Sequence, residues 1–321
     1  MNCLLHGLIM AALAACPCLA QAQAYPNKPV KIILPFAAGG ASDVMARVLA
    51  DELRAQYSQP FIIDYKAGAS GRIGAEALVK SVPDGYTLFI GTNSIHSANP
   101  FLFKKLNYDP IKDFSPISYL VTYSSVLVTS PGFPVSNVRE LAEYARANPG
   151  KVSYAYGNTI AQLGCAGLFH TANAQVIAVS YKSNTQAATD VIAGVATVTV
   201  VDLASSSGLI KSGRLKALAG VRGKRSSLLP DLPVVAETPG FEGFDINSWV
   251  ALFGPAGMPR PIVDSLNSAT RKVLTKPEIK DRFAQASAEL EPSTPDELAV
   301  FMTRQLDNWG RRIRDAGIQP E

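Results

Sequence analysis

The residues of this sequence that could do chemistry are small and polar, and they lie directly after predicted β-strands. Residues 39–43 read Gly-Gly-Ala-Ser-Asp at a predicted helix start, residues 91–96 read Gly-Thr-Asn-Ser-Ile-His, and residues 156–159 read Tyr-Gly-Asn-Thr. Glycine lets backbone N–H groups approach an anion closely, and a helix N-terminus adds partial positive charge. Such loops at the carboxyl ends of strands predict a cleft that holds a small polar ligand.

Two of these features have a second interpretation. In the first loop, an ordinary helix N-cap formed by Ser42 or Asp43 explains the residues equally well. His96 could offer a ligand a proton-sensitive hydrogen-bond donor, or its ring could be hydrogen-bonded within its own loop. The sequence leaves both alternatives open.

The motifs of metal chemistry and covalent catalysis are missing. Beyond residue 24 the sequence has two histidines, His96 and His170, and no HExxH, CxxC, Walker A, GxGxxG or GxSxG motif. We therefore expect no catalytic residue, no metal and no cofactor. Cys165, the one cysteine beyond residue 24, lies near leucines in a predicted helix, so we expect a buried and unreactive thiol.

The composition is typical of a packed globular protein of about two domains. The 321 residues are 47% apolar and 17% charged, which excludes disorder, collagen and coiled coil. The net charge is only +4, from 30 Lys and Arg against 26 Asp and Glu, without runs of like charge. The sequence therefore lacks the basic footprint of a nucleic-acid-binding protein.

Residues 1–24 are predicted to be a signal peptide that directs export. They contain no charged side chain, and the apolar run over residues 4–15 is too short to span a bilayer. Ala22 and Ala24 supply a small-x-small cleavage site, which leaves Tyr25 as the mature N-terminus. Alternatively, the residues around Cys16 resemble a lipoprotein processing site, at which Cys16 would carry a lipid anchor.

The elements that must position the polar loops alternate between strand and helix, as in α/β domains. One unit has predicted strands at 30–34, 61–63 and 87–91 with helices at 42–57 and 74–81. A second has strands near 152–156, 176–179, 197–201 and 215–219 with helices near 159–171, 184–193 and 205–211. The segment 247–253 and three helices that start at Pro261, Pro277 and Pro295 fit neither unit.

A series of short motifs gives the sequence a specific resemblance. In chain order they are YPNKP (25–29), PFxxGGxxD (35–43), PDGYTL (83–88), GTxSxHxxNP (91–100), YDPxKDF (108–114), YK (181–182), GRLKALA (213–219), LPDLP (229–233) and SW with PAG (248–257). Together they resemble the receptor proteins of tripartite tricarboxylate transporters, the Bug family. The resemblance covers the whole chain beyond residue 24.

The resemblance implies a two-lobed periplasmic binding protein of the type with two crossovers, in which each lobe is a mainly parallel sheet flanked by helices. Lobe one is then 25–124 plus 246–321, and lobe two is 125–245. Such a receptor captures a small organic (di)carboxylate or related solute between its lobes and delivers it to integral membrane transporter subunits. We expect it to be a monomer.

The resemblance also implies a set of ligand-binding residues, which lie on three loops and two further positions. They are Phe36, Ala37, Ala38, Gly39, Gly40, Ser42, Asp43, Thr92, Asn93, Ser94, His96, Tyr156, Gly157, Asn158, Thr159, Tyr181 and Asp202. Two departures from the family pattern affect them: the loop at 156–159 is shortened, and Asp202 lies one residue beyond the family's strand-end aspartate. Because a shift of one residue along a strand reverses a side chain, the direction of Asp202 stays open.

Three functions remain in contention. A transport receptor binds its solute without turnover, whereas an exported enzyme on the same fold would use a carboxylate such as Asp43. A sensor would present the loaded lobes to a signalling partner. The sequence offers no pairing of a nucleophile with a base, which favours a receptor over an enzyme.

Intact mass of the exported protein tests the export prediction. Because residues 22–24 fit signal peptidase better than Cys16 fits lipid attachment, we expect the mass of a chain that begins at Tyr25. A diacylglyceryl adduct on Cys16 would contradict this prediction.

Overall fold

A computed structural model describes the fold of residues 25–181 and 183–320. The predicted cleavage after Ala24 and the alternative acylation of Cys16 lie outside the described residues. No helix in the described part of the chain combines the length and the apolar character needed to cross a membrane.

The first sheet combines strands from both ends of the chain. Its order is β2-β1-β3-β10-β4-β11. The strands are β1 (Val30–Leu34), β2 (Phe61–Tyr65), β3 (Thr87–Thr92), β4 (Phe114–Tyr123), β10 (Ser248–Pro255) and β11 (Ala288–Leu290). β1 pairs in parallel with β2 and β3, whereas β10 is antiparallel to both β3 and β4. The central strands are almost fully buried, which explains their nearly continuous apolar runs.

The second sheet uses only the middle of the chain. Its order is β7-β6-β8-β5-β9. The strands are β5 (Ser125–Thr129), β6 (Ser153–Tyr156), β7 (Ile177–Ser180), β8 (Val198–Asp202) and β9 (Lys216–Gly220). β5 is antiparallel to its neighbours, as β10 is in the first sheet, so each sheet has one inserted strand that arrives from the other lobe.

Helices cover both sheets. They are α1 (Ala41–Tyr57), α2 (Arg72–Val79), α3 (Asn99–Leu102), α4 (Val138–Ala147), α5 (Thr159–Thr171), α6 (Asn184–Ile192), α7 (Leu203–Lys211), α8 (Arg260–Leu274), α9 (Pro277–Gln285) and α10 (Pro295–Asp315). Local sequence explains several starts: α10 begins with a capping box between Thr294 and Glu297, with proline as its first residue. α8 likewise carries a proline in its first turn, although it begins at Arg260 rather than Pro261.

The expected fold class is confirmed, with one refinement. Most strands of each sheet run in the same direction, but the inserted β10 and β5 and the edge strand β11 make both sheets mixed. The sequence predicted β10 but not β4 and β5. These two strands follow each other from 114 to 129 and are separated only by Ser124. This stretch carries the chain from one sheet to the other.

A buried ion cluster joins the two lobes beside the crossings. Arg222 follows β9 and is 4% exposed, and its guanidinium pairs with Glu289 at 2.6 Å and with Glu291, both at or near β11. Glu289 also accepts a hydrogen bond of 2.9 Å from Ser124 Oγ. Removing one partner from such a buried pair leaves an uncompensated charge and costs about 3–5 kcal/mol. The cluster therefore ties the segment after β9 to β11 and to the first crossing at Ser124.

Cys165 on α5 is fully buried in the lobe-two core, as the sequence predicted. Burial raises the pKa of its thiol, which lowers the fraction of reactive thiolate. We expect native protein to resist a thiol-labelling reagent and unfolded protein to react with one equivalent per mature chain. A Ser212→Cys variant, altered at an exposed position, serves as the reactive control. Rapid labelling of Cys165 in the native wild type would contradict the prediction.

Candidate functional site

A cavity of about 470 Å³ lies between the two sheets, at the carboxyl ends of β3 and β8 and beside both crossings. The residues that line it are Phe36, Ala37, Gly40, Ala41, Ser42, Asp43, Thr92, Asn93, Ser94, Tyr123, Ser124, Asp202, Ala204, Ser248 and Ser287. Nine of the seventeen residues implied by the sequence are among them. Among the described residues that line it there is no Lys or Arg, and the charged side chains there are Asp43 and Asp202.

Asp43 organises the first loop. One carboxylate oxygen accepts a hydrogen bond from Gly39 N–H at 2.8 Å, the other accepts from Tyr65 OH at 2.7 Å, and Arg47 pairs with the group at 3.1 Å. Burial opposes ionisation, but these three partners hold the pKa of Asp43 below its usual value. Gly39, at φ +92°, adopts a conformation that favours glycine. Ala38 and Gly39 do not line the cavity, and the Gly39 amide is already occupied by Asp43.

The start of α1 presents free backbone donors to the cavity. The N–H groups of Asp43 and Val44 bond back to the Gly40 carbonyl, whereas those of Ala41 and Ser42 have no acceptor among the described residues. Gly40 serves as N-cap in an extended conformation without a side-chain cap. The alternative in which Ser42 or Asp43 is the N-cap is therefore wrong, and the N-terminus of the helix is open toward the cavity.

The end of β3 supplies hydroxyl and amide groups. Thr92 is 5% exposed, and its Oγ1 has no hydrogen-bond partner among the described residues. Asn93 Oδ1 accepts a hydrogen bond of 3.4 Å from the backbone N–H of Trp249, which connects this loop to β10. A buried hydroxyl without a partner is costly, so Thr92 is well placed to bind something that enters the cavity.

His96 does not reach the cavity. It is fully buried, its ring packs against Phe114, Trp249 and Phe253, and Nδ1 lies 2.8 Å from the carbonyl oxygen of Pro110. The structure therefore does not support His96 as a ligand contact. The alternative, a hydrogen bond within its own loop, is also wrong, because the partner is Pro110 outside that loop. Burial lowers the pKa of His96 to about 4 despite the opposing effect of that hydrogen bond.

Asp202 is among the residues that line the cavity. It is the last residue of β8, pairs across the sheet with Ser125, and accepts a hydrogen bond of 3.2 Å from the Ser125 hydroxyl. The alternation of side chains along a strand does not decide its direction, because the backbone turns here into α7, for which Asp202 is the N-cap residue.

The expected lobe-two loop lies apart from the cavity, since none of residues 156–159 lines it. Asn158 caps its own helix by accepting from Ala161 N–H at 2.8 Å. Gly157 packs so closely against Ser183 that a Cβ would lie 2.1 Å from its carbonyl carbon. Tyr181 donates to Asp190 at 2.8 Å. In this arrangement the Gly157 amide, Asn158 and Tyr181 are hydrogen-bonded within lobe two.

Sequence reasoning missed six lining residues, which come from the two crossings, from the first turns of α1 and α7, and from the turn before β11. They are Ala41, Tyr123, Ser124, Ala204, Ser248 and Ser287. Ala41 lay inside a recognised loop and Ser248 inside a recognised motif, so these two could have been found. Tyr123 and Ser124 belong to the unrecognised stretch at 114–129, and nothing local marks Ser287.

A larger cavity of about 750 Å³ opens on the other side of the returning chain, beside Arg222, Asp245 and Asn247. Asn247 lines this cavity and Ser248 lines the smaller one, because successive residues of an extended segment face opposite sides. The larger cavity contains none of the residues that the sequence singled out as ligand contacts, so the cleft remains the candidate site.

Comparisons with known proteins identify the family. Residues 45–318 match the family model described as "Tripartite tricarboxylate transporter family receptor". The chain belongs to this receptor family. BugT of Bordetella pertussis is 32% identical over 301 residues, covering 93% of this chain and 92% of BugT.

Solved structures of related receptors extend the comparison. The R. palustris protein Rpa4515, solved with adipate, is 30% identical and covers 92% of this chain and all of its own length, with a TM-score of 0.71. MatC of Rhodopseudomonas palustris, solved with bound malate, is 27% identical, covers 90% of this chain and all of its own, and has a TM-score of 0.67. The resemblance seen in the sequence motifs is confirmed.

Acid titration of stability tests the burial of His96. Its pKa rises from about 4 in the folded protein to about 6.5 on unfolding, so the unfolded chain binds more protons between these values. Stability should therefore fall as the pH drops from about 6.5 to 4, by roughly 3 kcal/mol for this group.

Denaturant unfolding across this pH range should show that dependence in wild type and in the control His170→Gln, in which an exposed histidine is changed. In His96→Gln the free energy of unfolding should depend less steeply on pH over this range. Equal slopes in the two variants would contradict the assignment.

Proposed function

We propose that this protein is a periplasmic receptor that captures a small carboxylate solute in the cleft and delivers it to the membrane subunits of a tripartite tricarboxylate transporter. Family membership and the relatives solved with adipate and malate support this function. The observation that carries it is the open N-terminus of α1, which faces the cavity with unpaired N–H groups and an uncapped start.

A carboxylate can be held there without a basic side chain. The N–H groups of Ala41 and Ser42 and the hydroxyl of Thr92 are available donors at the lobe-one end. Hydrogen bonds to a charged group contribute about 1.5–3 kcal/mol each, so three give roughly 5–9 kcal/mol before entropy costs. Micromolar affinity needs about 8 kcal/mol, so other contacts must add to these.

Closure of the lobes would supply the additional contacts. In our proposal lobe one (25–124 plus 246–321) and lobe two (125–245) rotate about Ser124 and the returning segment, as hinged binding proteins do. The loop at 156–159 and Tyr181, now apart from the cavity, would then approach the solute. The contacts predicted for these residues would then form only when the lobes close on the solute.

Asp43 argues against an enzyme on this fold. Its carboxylate already accepts hydrogen bonds from Gly39 and Tyr65 and pairs with Arg47, and its pKa lies below the usual value. A general base needs a free lone pair and a pKa near the working pH. Asp43 therefore acts as a support for the loop that carries the binding groups.

Replacing Gly40 by valine tests the proposed anion site. Gly40 has an ordinary backbone conformation and no atom near the position of a Cβ, so the fold should tolerate the change. The added branches would stand at the cavity wall in front of the Ala41 and Ser42 amides. We expect at least a tenfold loss of affinity for the solute that co-purifies with the protein, measured by calorimetry, with only a small decrease in melting temperature, because valine is a poorer N-cap residue than glycine.

The matched control is Gly132→Val, an exposed lobe-two position that is equally open around its Cβ. Small-angle scattering should show a smaller radius of gyration on ligand addition in wild type and Gly132→Val, but not in Gly40→Val. Normal affinity in Gly40→Val would remove this loop from the site.

A further inference from the structure

Two hydroxyl groups on the cavity lining, those of Tyr123 and Ser124, have already given their protons to other parts of the protein. Tyr123 OH donates to the Ala41 carbonyl at 2.9 Å, and Ser124 Oγ donates to Glu289 at 2.9 Å. Ser125 Oγ, beside the cavity, donates to Asp202 at 3.2 Å. A hydroxyl has one proton, so Tyr123 and Ser124 present only lone pairs to a molecule in the cavity.

Asp202 adds a charged hydrogen-bond acceptor to the cavity lining. Its side chain has one hydrogen-bond partner among the described residues, the Ser125 hydroxyl, and no cation forms a salt bridge with it. Asp43 differs because Arg47, Tyr65 and the Gly39 amide compensate its charge. The carboxylate of Asp202 is therefore the one uncompensated charge among the described residues that line the cavity.

The cavity lining is thus polarised. Backbone N–H groups at the start of α1 favour an anion, whereas Asp202 and the lone pairs of Ser124 favour a hydrogen-bond donor. A second carboxylate pointing at Asp202 would meet a like charge in a partly desolvated cleft, which disfavours it. A hydroxyl or ammonium group there would donate to a charged acceptor.

We propose that the solute carries an O–H or N–H donor in addition to its carboxylate, and that Asp202 selects such a hydroxy- or amino-carboxylate over the plain acid of the same length. This inference rests on the proposed receptor function and adds the chemical class of the ligand. Asp202 is then the residue that determines specificity, while the start of α1 holds the group that all candidate solutes share.

Calorimetry with matched acids tests the inference on the full mature protein. The pairs have equal carbon chains and differ in one donor: succinate against malate or aspartate, glutarate against glutamate, and adipate against 2-aminoadipate, each chiral acid as both enantiomers. In wild type, the donor-bearing member of the best-fitting pair should bind about tenfold tighter or more.

Asp202→Asn should bring that ratio close to one, because the plain acid no longer meets a charge and the donor loses a charged acceptor. The control is Asp231→Asn, an exposed aspartate of lobe two outside the cavity, and it should keep the wild-type ratio. The wild-type comparison tests the inference even where a variant is unstable.

The outcomes separate the two proposals. If the plain acid binds as tightly as its donor-bearing partner in wild type, or if the ratio survives in Asp202→Asn, the inference about Asp202 is wrong and the receptor function stands. If no acid of the panel binds and the purified protein carries no carboxylate, the receptor function fails, and the inference falls with it.

Discussion

The buried contact of Arg222 with Glu289 and Glu291 is the interaction on which the rest of the structure depends. It joins the segment after β9, which belongs to the second sheet, to the strand β11 of the first sheet. It therefore fixes a contact between the two sheets. Glu289 extends it to Ser124, which lies at the first crossing and lines the cleft. The ion cluster therefore links the position of the lobes to the shape of the binding cavity.

The two carboxylates of the cleft have opposite roles because their surroundings differ. Asp43 is surrounded by donors and a cation, so it stabilises the first loop and leaves the α1 amides free for an anion. Asp202 has a single hydroxyl partner and lines the same cavity. A receptor without basic side chains in its lining can hold an anion in this way, because helix amides supply the positive potential at one end.

Much of this protein could be read from its sequence. Apolar runs such as 30–34 and 87–91, helix starts such as Pro277 and Pro295, and the order of short motifs predicted the fold class and the family. These signals are local: periodicity, caps and turn residues act within a few positions of the chain. The first loop and the end of β3 were found for the same reason, since glycine and hydroxyl residues after a strand form a pattern within one segment.

Only the tertiary structure decided which of these polar groups share a cavity. His96 carries the residue type of a ligand contact, yet packing against Phe114, Trp249 and Phe253 buries it. The groups of 156–159 are used within lobe two, whereas Tyr123, Ser124 and Asp202 meet at the crossings from distant parts of the chain. The sequence determined the elements and the family because local patterns specify them. The structure decided which polar groups share the cavity because hydrogen-bond partners far apart in the chain determine which donors stay free.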